Sequence, residues 1–303
     1  MRVLIVANPA AGAVTPAVVW QVVRVCPAPV SVRWTGFPGE ATTIAQDAAN
    51  SVDLVVSVGG DGTASEVAAG LATAYRRVPM MVVPAGTANS LYRTLWADTP
   101  WPAALSLALS GLPPSWLDLA EVDGSLVITG ASAGFSPLSI HTAKTAAIGY
   151  QDAIRDLAGR YRPYPGRVLV DGQLVHYGST FVVNVGGSRY RGGEYALLPH
   201  SVVDDGLLDV CVIGGEHPAP VVISSTRAGE HLNLPGVVYT RGREVRVERT
   251  DDRPLWFEHD GEVAPVGRRG YTVTVRPGAV GVLAAPDAPS VTRRSEVCGR
   301  RRR

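Results

Sequence analysis

The largely apolar run Asp53-Leu54-Val55-Val56-Ser57-Val58 empties into Gly59-Gly60-Asp61-Gly62-Thr63, and a helix-like stretch from Ala64 to Leu71 follows at once. A strand apolar on both faces belongs in the middle of a sheet covered on both sides, which confines this part of the chain to a parallel α/β arrangement. Glycines in the turn let the backbone approach a polyanion, and the first helical turn offers N–H donors with a favourable dipole. Asp61 sits inside that turn. An acid beside bound phosphate calls for a cation or a transferring phosphoryl group between them, so the turn points to nucleotide chemistry.

Three more loops repeat the pattern. Val3-Leu4-Ile5-Val6-Ala7 leads into Asn8-Pro9-Ala10-Ala11-Gly12, and Val30-Ser31-Val32-Arg33-Trp34 into Thr35-Gly36-Phe37-Pro38-Gly39-Glu40 ahead of a helical stretch from Ala41 to Ala49. Met80-Met81-Val82-Val83 ends at Pro84-Ala85-Gly86-Thr87-Ala88-Asn89, with a further helix expected from Ser90. Strand-loop-helix units in series describe an open parallel sheet, with ligands expected at the carboxyl ends of its strands.

Trp101 to Leu112 reads as a helix ended by Gly111 and Pro113-Pro114, after which the pattern changes. Short β-rich runs then dominate: 125–128, 168–170, 180–185, 208–213, 245–248, 255–258 and 271–275, with helices expected over 136–160 and 217–231. An α/β domain over residues 1–120 is therefore followed by a mainly antiparallel β domain over 121–278. The Arg-rich stretch 291–303, containing Arg300-Arg301-Arg302-Arg303, reads as a solvated, disordered tail, with a weak anchor for anionic headgroups as the functional alternative.

Gly59-Gly60-Asp61-Gly62-Thr63 with Glu66, Pro84 to Asn89, Asp204-Asp205-Gly206-Leu207-Leu208-Asp209 and Asp260-Gly261-Glu262, in this order and spacing, resemble the diacylglycerol kinase catalytic-domain family of lipid kinases, which includes sphingosine kinase relatives. The likeness runs from Asn8 to about Val282. It implies an N-terminal α/β domain of NAD kinase and diacylglycerol kinase type, a C-terminal β-sandwich that binds the lipid, and a last segment, 279–290, returning to the first domain. It also implies ATP at the glycine loops without a Walker-type lysine, in keeping with a single lysine, Lys144, outside every glycine loop. Asn8, Thr35, Gly59, Gly60, Gly62, Thr63, Glu66, Gly86, Thr87 and Asn89 are the implied nucleotide contacts, with a cap of its own helix, the one after Thr63, as the alternative for Glu66.

Mg²⁺ prefers oxygen ligands, and the implied acids are Asp61, Asp118 and Asp205, the last in a structural site of the second domain coupled through waters to the other two. In the late acidic turn the resemblance makes Glu262 the general base for the lipid hydroxyl, with Asp260 beside it, while a plain Asp-Gly hairpin is the rival explanation. His259 is the other candidate base, and its neighbours suggest a strand end. Gly192-Gly193 and Ala131 to Phe135 fit a lipid cleft. Ser90 stands where the family usually has Asp, and Phe37 is unusual in its loop.

The expected activity is ATP- and Mg²⁺-dependent phosphorylation of diacylglycerol or a related lipid. Two rivals are a soluble-metabolite kinase of the NAD kinase type, which leaves Gly86-Thr87 and Asp260-Gly261-Glu262 unexplained, and a non-catalytic lipid or nucleotide sensor. At 46% hydrophobic and 18% charged with net charge +1, the chain is not generally disordered, and no apolar stretch is long enough to span a bilayer. Met1 to Ile5 leads directly into a strand and does not read as a signal peptide; Cys26, Cys211 and Cys298 lack metal-like spacing and read as reduced thiols. These features predict a cytoplasmic protein meeting its lipid peripherally at the inner membrane surface, with no nucleic-acid partner and a homodimer left open.

Overall fold

Five residues of strand β1 (Val3–Ala7) and six of β3 (Leu54–Gly59) are all buried, as the apolar runs require. Between and after them come α1 (Pro16–Val25), β2 (Val30–Trp34), α2 (Glu40–Ala48), α3 (Asp61–Thr73), β4 (Met80–Pro84), α4 (Ser90–Trp96) and α5 (Trp101–Leu109). The computed structural model describes residues 1–27 and 29–292, so Cys298 and all of the expected Arg-rich tail except Val291 and Thr292 lie outside the described residues. Strands β2, β1, β3 and β4 lie side by side and parallel. Thr15 starts α1 by accepting the Val18 amide at 3.2 Å, and Pro16 presets the first helical residue.

The second half contains β5 (Ser115–Val122), β6 (Ser125–Val127), β7 (Ala131–Gly134), α6 (Phe135–Ala146), α7 (Tyr150–Ala158), β8 (Tyr164–Val170), β9 (Gln173–Gly186), β10 (Leu208–Gly214) and α8 (Ala219–Ala228). After a 3-10 turn at Glu230–Asn233 come β11 (Val238–Gly242), β12 (Glu244–Arg249), β13 (Phe257–His259), β14 (Glu262–Val263) and β15 (Gly270–Val282). Pairing in this half is antiparallel, in the order β14-β13-β7-β9-β8-β12-β15. One apolar cluster surrounds the parallel strands, a second lies between strands such as β8, β12 and β15, and a third joins α7 and α8 to β9 and β10. Cys26 and Cys211 are buried and unpaired within these clusters.

Two expectations change. Strand 271–275 and the returning segment are one element, β15, which pairs antiparallel with β12 and β5 and ends with Val282 beside Met80 of β4, parallel to it. A register shift between Arg276 and Val280 absorbs Pro277 and Gly278. The helix over 136–160 is two helices. Ala147 turns left-handed (φ 52°) to close α6, and Gly149 opens α7.

Candidate active site

The glycine loops meet at the carboxyl ends of β1, β3 and β4. Asn8 follows β1; its Oδ1 accepts the Ala10 amide at 2.9 Å and its Nδ2 donates to Thr63 Oγ1 at 3.0 Å, tying the first loop to the third. Gly59 must be glycine because a Cβ there would stand 2.5 Å from Thr63 Oγ1, and a Cβ on Gly86 would stand 2.4 Å from Gly60 Cα. Asn89 (φ 50°) closes its loop by accepting the Gly86 amide at 2.9 Å and donating to the Gly86 carbonyl at 2.8 Å. At Gly62 a Cβ would meet nothing within 4 Å, and Gly60 caps α3 without a side chain. Backbone amides at a helix start beside open space suit a phosphate chain.

Thr35 is buried at the edge of this cradle, its amide donating to the Ala7 carbonyl at 2.9 Å. Glu66 is engaged by the start of α2. Its carboxylate accepts the amides of Gly39 at 2.9 Å and Ala41 at 3.2 Å, capping α2, whose own N-cap Gly39 has no side chain to do so. The alternative of a capping role is thus the one the geometry displays, though for α2 and not for Glu66's own helix.

Asp61 accepts the amides of Ser90 at 2.9 Å and Leu91 at 3.0 Å, holding the start of α4 onto the glycine turn. Burial raises its pKa above the ordinary carboxylate value and the charge of Asp260 adds to the rise, while the two amides oppose it. Asp260 and Gly261 form the two-residue turn between β13 and β14, both left-handed (φ 47° and 83°), with His259 facing Glu262 across the hairpin. The hairpin and the site are one object. Asp260 accepts the Ile128 amide at 3.0 Å, the Thr129 amide at 2.8 Å, Thr129 Oγ1 at 2.6 Å and the Gly130 amide at 3.3 Å. Ser65 of α3 donates to it as well, bridging the phosphate-loop helix and the hairpin.

Glu262 is placed elsewhere. Its side chain is 77% exposed and pairs with Lys144 of α6 at 3.1 Å, and it does not line the cavity in which Asp260 stands. The carboxylate that does enter, besides Asp61 and Asp260, is Glu258, which the sequence reading passed over. It is 0% exposed and accepts Ser132 Oγ at 2.6 Å, the Gly261 amide at 3.0 Å and the Arg191 guanidinium. A glutamate closing the apolar run Leu255-Trp256-Phe257, two residues before Asp260, is the signal that would have found it: alternation puts 258 and 260 on one face.

These groups form the polar end of a cavity of about 620 Å³. Asp61, Thr87, Ser90, Ser132, Glu258 and Asp260 line that end, and Phe135, Ile140, Ile154, Phe181, Leu197 and Val222 the rest. Ser132 and Phe135 come from the 131–135 segment, and Gly192 lines the wall; both stretches were expected at a lipid cleft. Neighbouring Gly193 docks on the nucleotide side, its amide 3.4 Å from Ser90 Oγ and its carbonyl accepting from Arg93. Size and lining suit a ligand with an apolar body and one reactive polar end.

Of the acids implied at magnesium, Asp205 is expected in a structural site of its own, coupled through waters to Asp61 and Asp118. Asp118 accepts the amides of Gly278 at 2.7 Å and of Gly206, and burial raises its pKa, with Asp205 and Asp204 adding to the rise. Asp205 accepts Arg241 at 2.9 Å and the Leu207 amide at 3.0 Å. So Asp118 and Asp205 are neighbours, whereas the acid beside Asp61 is Asp260. Among the described residues no group of three or more His, Cys, Asp or Glu side chains could hold a metal ion. The donor set therefore does not fit a cation caged by protein alone. It fits one carried largely by phosphates and water, beside one or two carboxylates.

Comparison with known proteins agrees with this fold. Residues 2–115 match the diacylglycerol kinase catalytic domain, and 126–284 the YegS C-terminal NAD kinase beta sandwich-like domain. A Cronobacter sakazakii protein named "Probable lipid kinase YegS-like" is 30% identical over 270 residues, covering 86% of this chain and 88% of its own. A Pseudomonas fluorescens protein of the same name is 30% identical over 274 residues, covering 86% and 87%. The crystal structure of a Bacillus anthracis diacylglycerol kinase superposes with a TM-score of 0.69 at 21% identity, covering 94% of this chain and 97% of its own. A second Bacillus anthracis structure gives 0.75 at 23% identity, covering 94% and 98%.

Proposed function

The chain belongs to the diacylglycerol kinase catalytic-domain family of lipid kinases, and from that premise we propose that it transfers the γ-phosphoryl group of ATP to the hydroxyl of diacylglycerol or a closely related lipid alcohol. The observation that supports this most is the junction of the glycine cradle with the apolar cavity at Asp61 and Asp260. An acceptor with acyl chains along Phe135, Ile154 and Phe181 presents its hydroxyl to those two acids.

The nucleotide would supply the phosphoryl group, and Mg²⁺ carried by its phosphates beside Asp61 and Asp260 would neutralise the oxygens. The amides at the start of α3 hold the phosphates, and Asp61 fixes the Gly86-to-Asn89 loop against them through α4. The hydroxyl oxygen forms the new O–P bond as the β–γ bridging P–O bond breaks, and the hydroxyl proton passes to Asp260. The donors around Asp260 hold its carboxylate in place for that transfer. Glu262, at the exposed edge of the hairpin, steadies the turn through Lys144.

Among the described residues no helix is long and apolar enough to cross a membrane, and we read the acceptor as entering the cavity from a bilayer surface. Labelled ATP with Mg²⁺ and either diacylglycerol micelles or NAD tests the proposal. Label in phosphatidic acid is the expected result, and label entering only NAD would refute it.

A further inference from the structure

A second cavity of about 430 Å³ lies back to back with the first. The partition is aromatic: Phe135 stacks on Phe181 at 4.7 Å, and Tyr161 meets both edge-on at 5.1 Å. Phe135 and Phe181 face the acceptor cavity, and Tyr161 the second one. Neither the proposed reaction nor the nucleotide loops use this space.

Its lining combines three arginines, Arg160, Arg162 and Arg249, with Leu157, Leu255 and Trp256. Arg162 forms no ion pair among the described residues; its guanidinium reaches only the Tyr161 carbonyl, at 3.3 Å. Arg160 pairs with Asp156 on an exposed helix surface, a weak tie that an anion can replace. Arg249 is held by Asp251 through two bonds of 2.7 Å and lies 5.5 Å from the ring of Tyr164. Tyr164 also lines the cavity, and its buried hydroxyl has no hydrogen-bond partner among the described residues. A buried polar atom without a partner costs free energy that a ligand or water relieves. Arginine forks match phosphate oxygens, while leucines and a tryptophan match hydrocarbon.

We propose that this cavity is a second lipid site, taking the phosphate headgroup of an anionic phospholipid between Arg160 and Arg162 and its apolar part against Leu157, Leu255 and Trp256. It is independent of which alcohol the kinase phosphorylates.

The test is titration of the full chain with monomeric dihexanoyl phosphatidic acid, read as the fluorescence change present in wild type and absent in Trp256→Phe. Arg160 and Arg162 are exposed, so Arg160→Gln/Arg162→Gln should fold, which circular dichroism checks. That variant should bind about 30-fold more weakly, roughly fivefold for each arginine at a lipid phosphate, while excess dihexanoylglycerol should not displace the probe from wild type. Unchanged affinity in the double variant, or no Trp256-dependent signal, overturns the site. Displacement by the neutral lipid places the probe in the acceptor cavity and overturns it too. Inorganic phosphate binding as tightly as the lipid would show that the apolar wall contributes nothing and removes the lipid assignment.

Discussion

Glu258→Gln isolates the buried charge at the heart of the acceptor cavity. The wild-type carboxylate is fully enclosed and shares two oxygens among Ser132, Gly261 and Arg191, whose own side chain is only 12% exposed. Glutamine keeps the volume but offers one acceptor oxygen where three donors converge, and its NH₂ group must then oppose one of them. Breaking one side of a buried ion pair costs about 3–5 kcal/mol, and a forced donor–donor contact argues for the upper half of that range. For a chain of this size that is a fall in Tm on the order of 10 °C, read by differential scanning calorimetry. Arg191→Met leaves the buried Glu258 carboxylate with two neutral donors and no counter-ion, and should cost about as much. Combining the two removes both charges, so the double variant should recover about 2 kcal/mol relative to the sum of the singles. A Tm within roughly 2 °C of wild type for Glu258→Gln, or singles that add to within about 0.5 kcal/mol, would refute the account of a coupled buried pair.

Asp260→Asn should lower kcat by about 10²–10⁴, the usual range for a lost proton acceptor, whereas Glu262→Gln should stay within a few-fold of wild type; steady-state kinetics of both variants decides between the two acids. Gly62→Ala should leave thermal stability equal or slightly higher, since alanine favours a helix by about 1 kcal/mol over glycine and nothing lies within 4 Å, yet raise KM for ATP by filling phosphate space. Asp61→Asn should flatten part of the pH dependence of stability. The native carboxyl titrates above its unfolded value, so between those two pKa values the native state binds more protons and stability falls as pH rises. Urea denaturation from pH 4 upward should show the asparagine variant gaining on wild type over that window.

The glycine loops were legible because their requirements are local. Gly59 and Gly86 are fixed by contacts a few residues away or between adjacent strand ends, and four apolar runs each ending in such a loop leave little choice but a parallel sheet. What failed to show depended on partners distant in sequence. Glu66 looks like a first-turn acid of its own helix, and only the packing of α2 on α3 reveals that it caps Gly39 and Ala41. Asp118, Asp205 and Asp61 share a residue type, but the fold puts the first two beside Gly206 and Gly278 and the third beneath α4. A strand over 271–275 and a returning segment 279–290 read as separate, whereas β15 runs through Pro277 and Gly278 with a bulge and its end gains a new partner, β4.

The late acidic turn shows why motif and geometry must be argued together. Asp-Gly in a two-residue hairpin needs left-handed backbone at both positions, and aspartate tolerates it better than most side chains. That requirement alone would explain Asp260 without any function. A turn aspartate in solvent, however, has no need of three backbone amides, a threonine hydroxyl and a serine from another domain. Those donors fix the carboxylate beside Asp61, against the repulsion of two like charges, a cost the fold would avoid if the turn only reversed the chain. Glu262, two residues later, is exposed and pairs with Lys144. Within this hairpin, therefore, the proposed proton acceptor is the residue held beside a like charge, and the exposed glutamate stands outside the cavity lining.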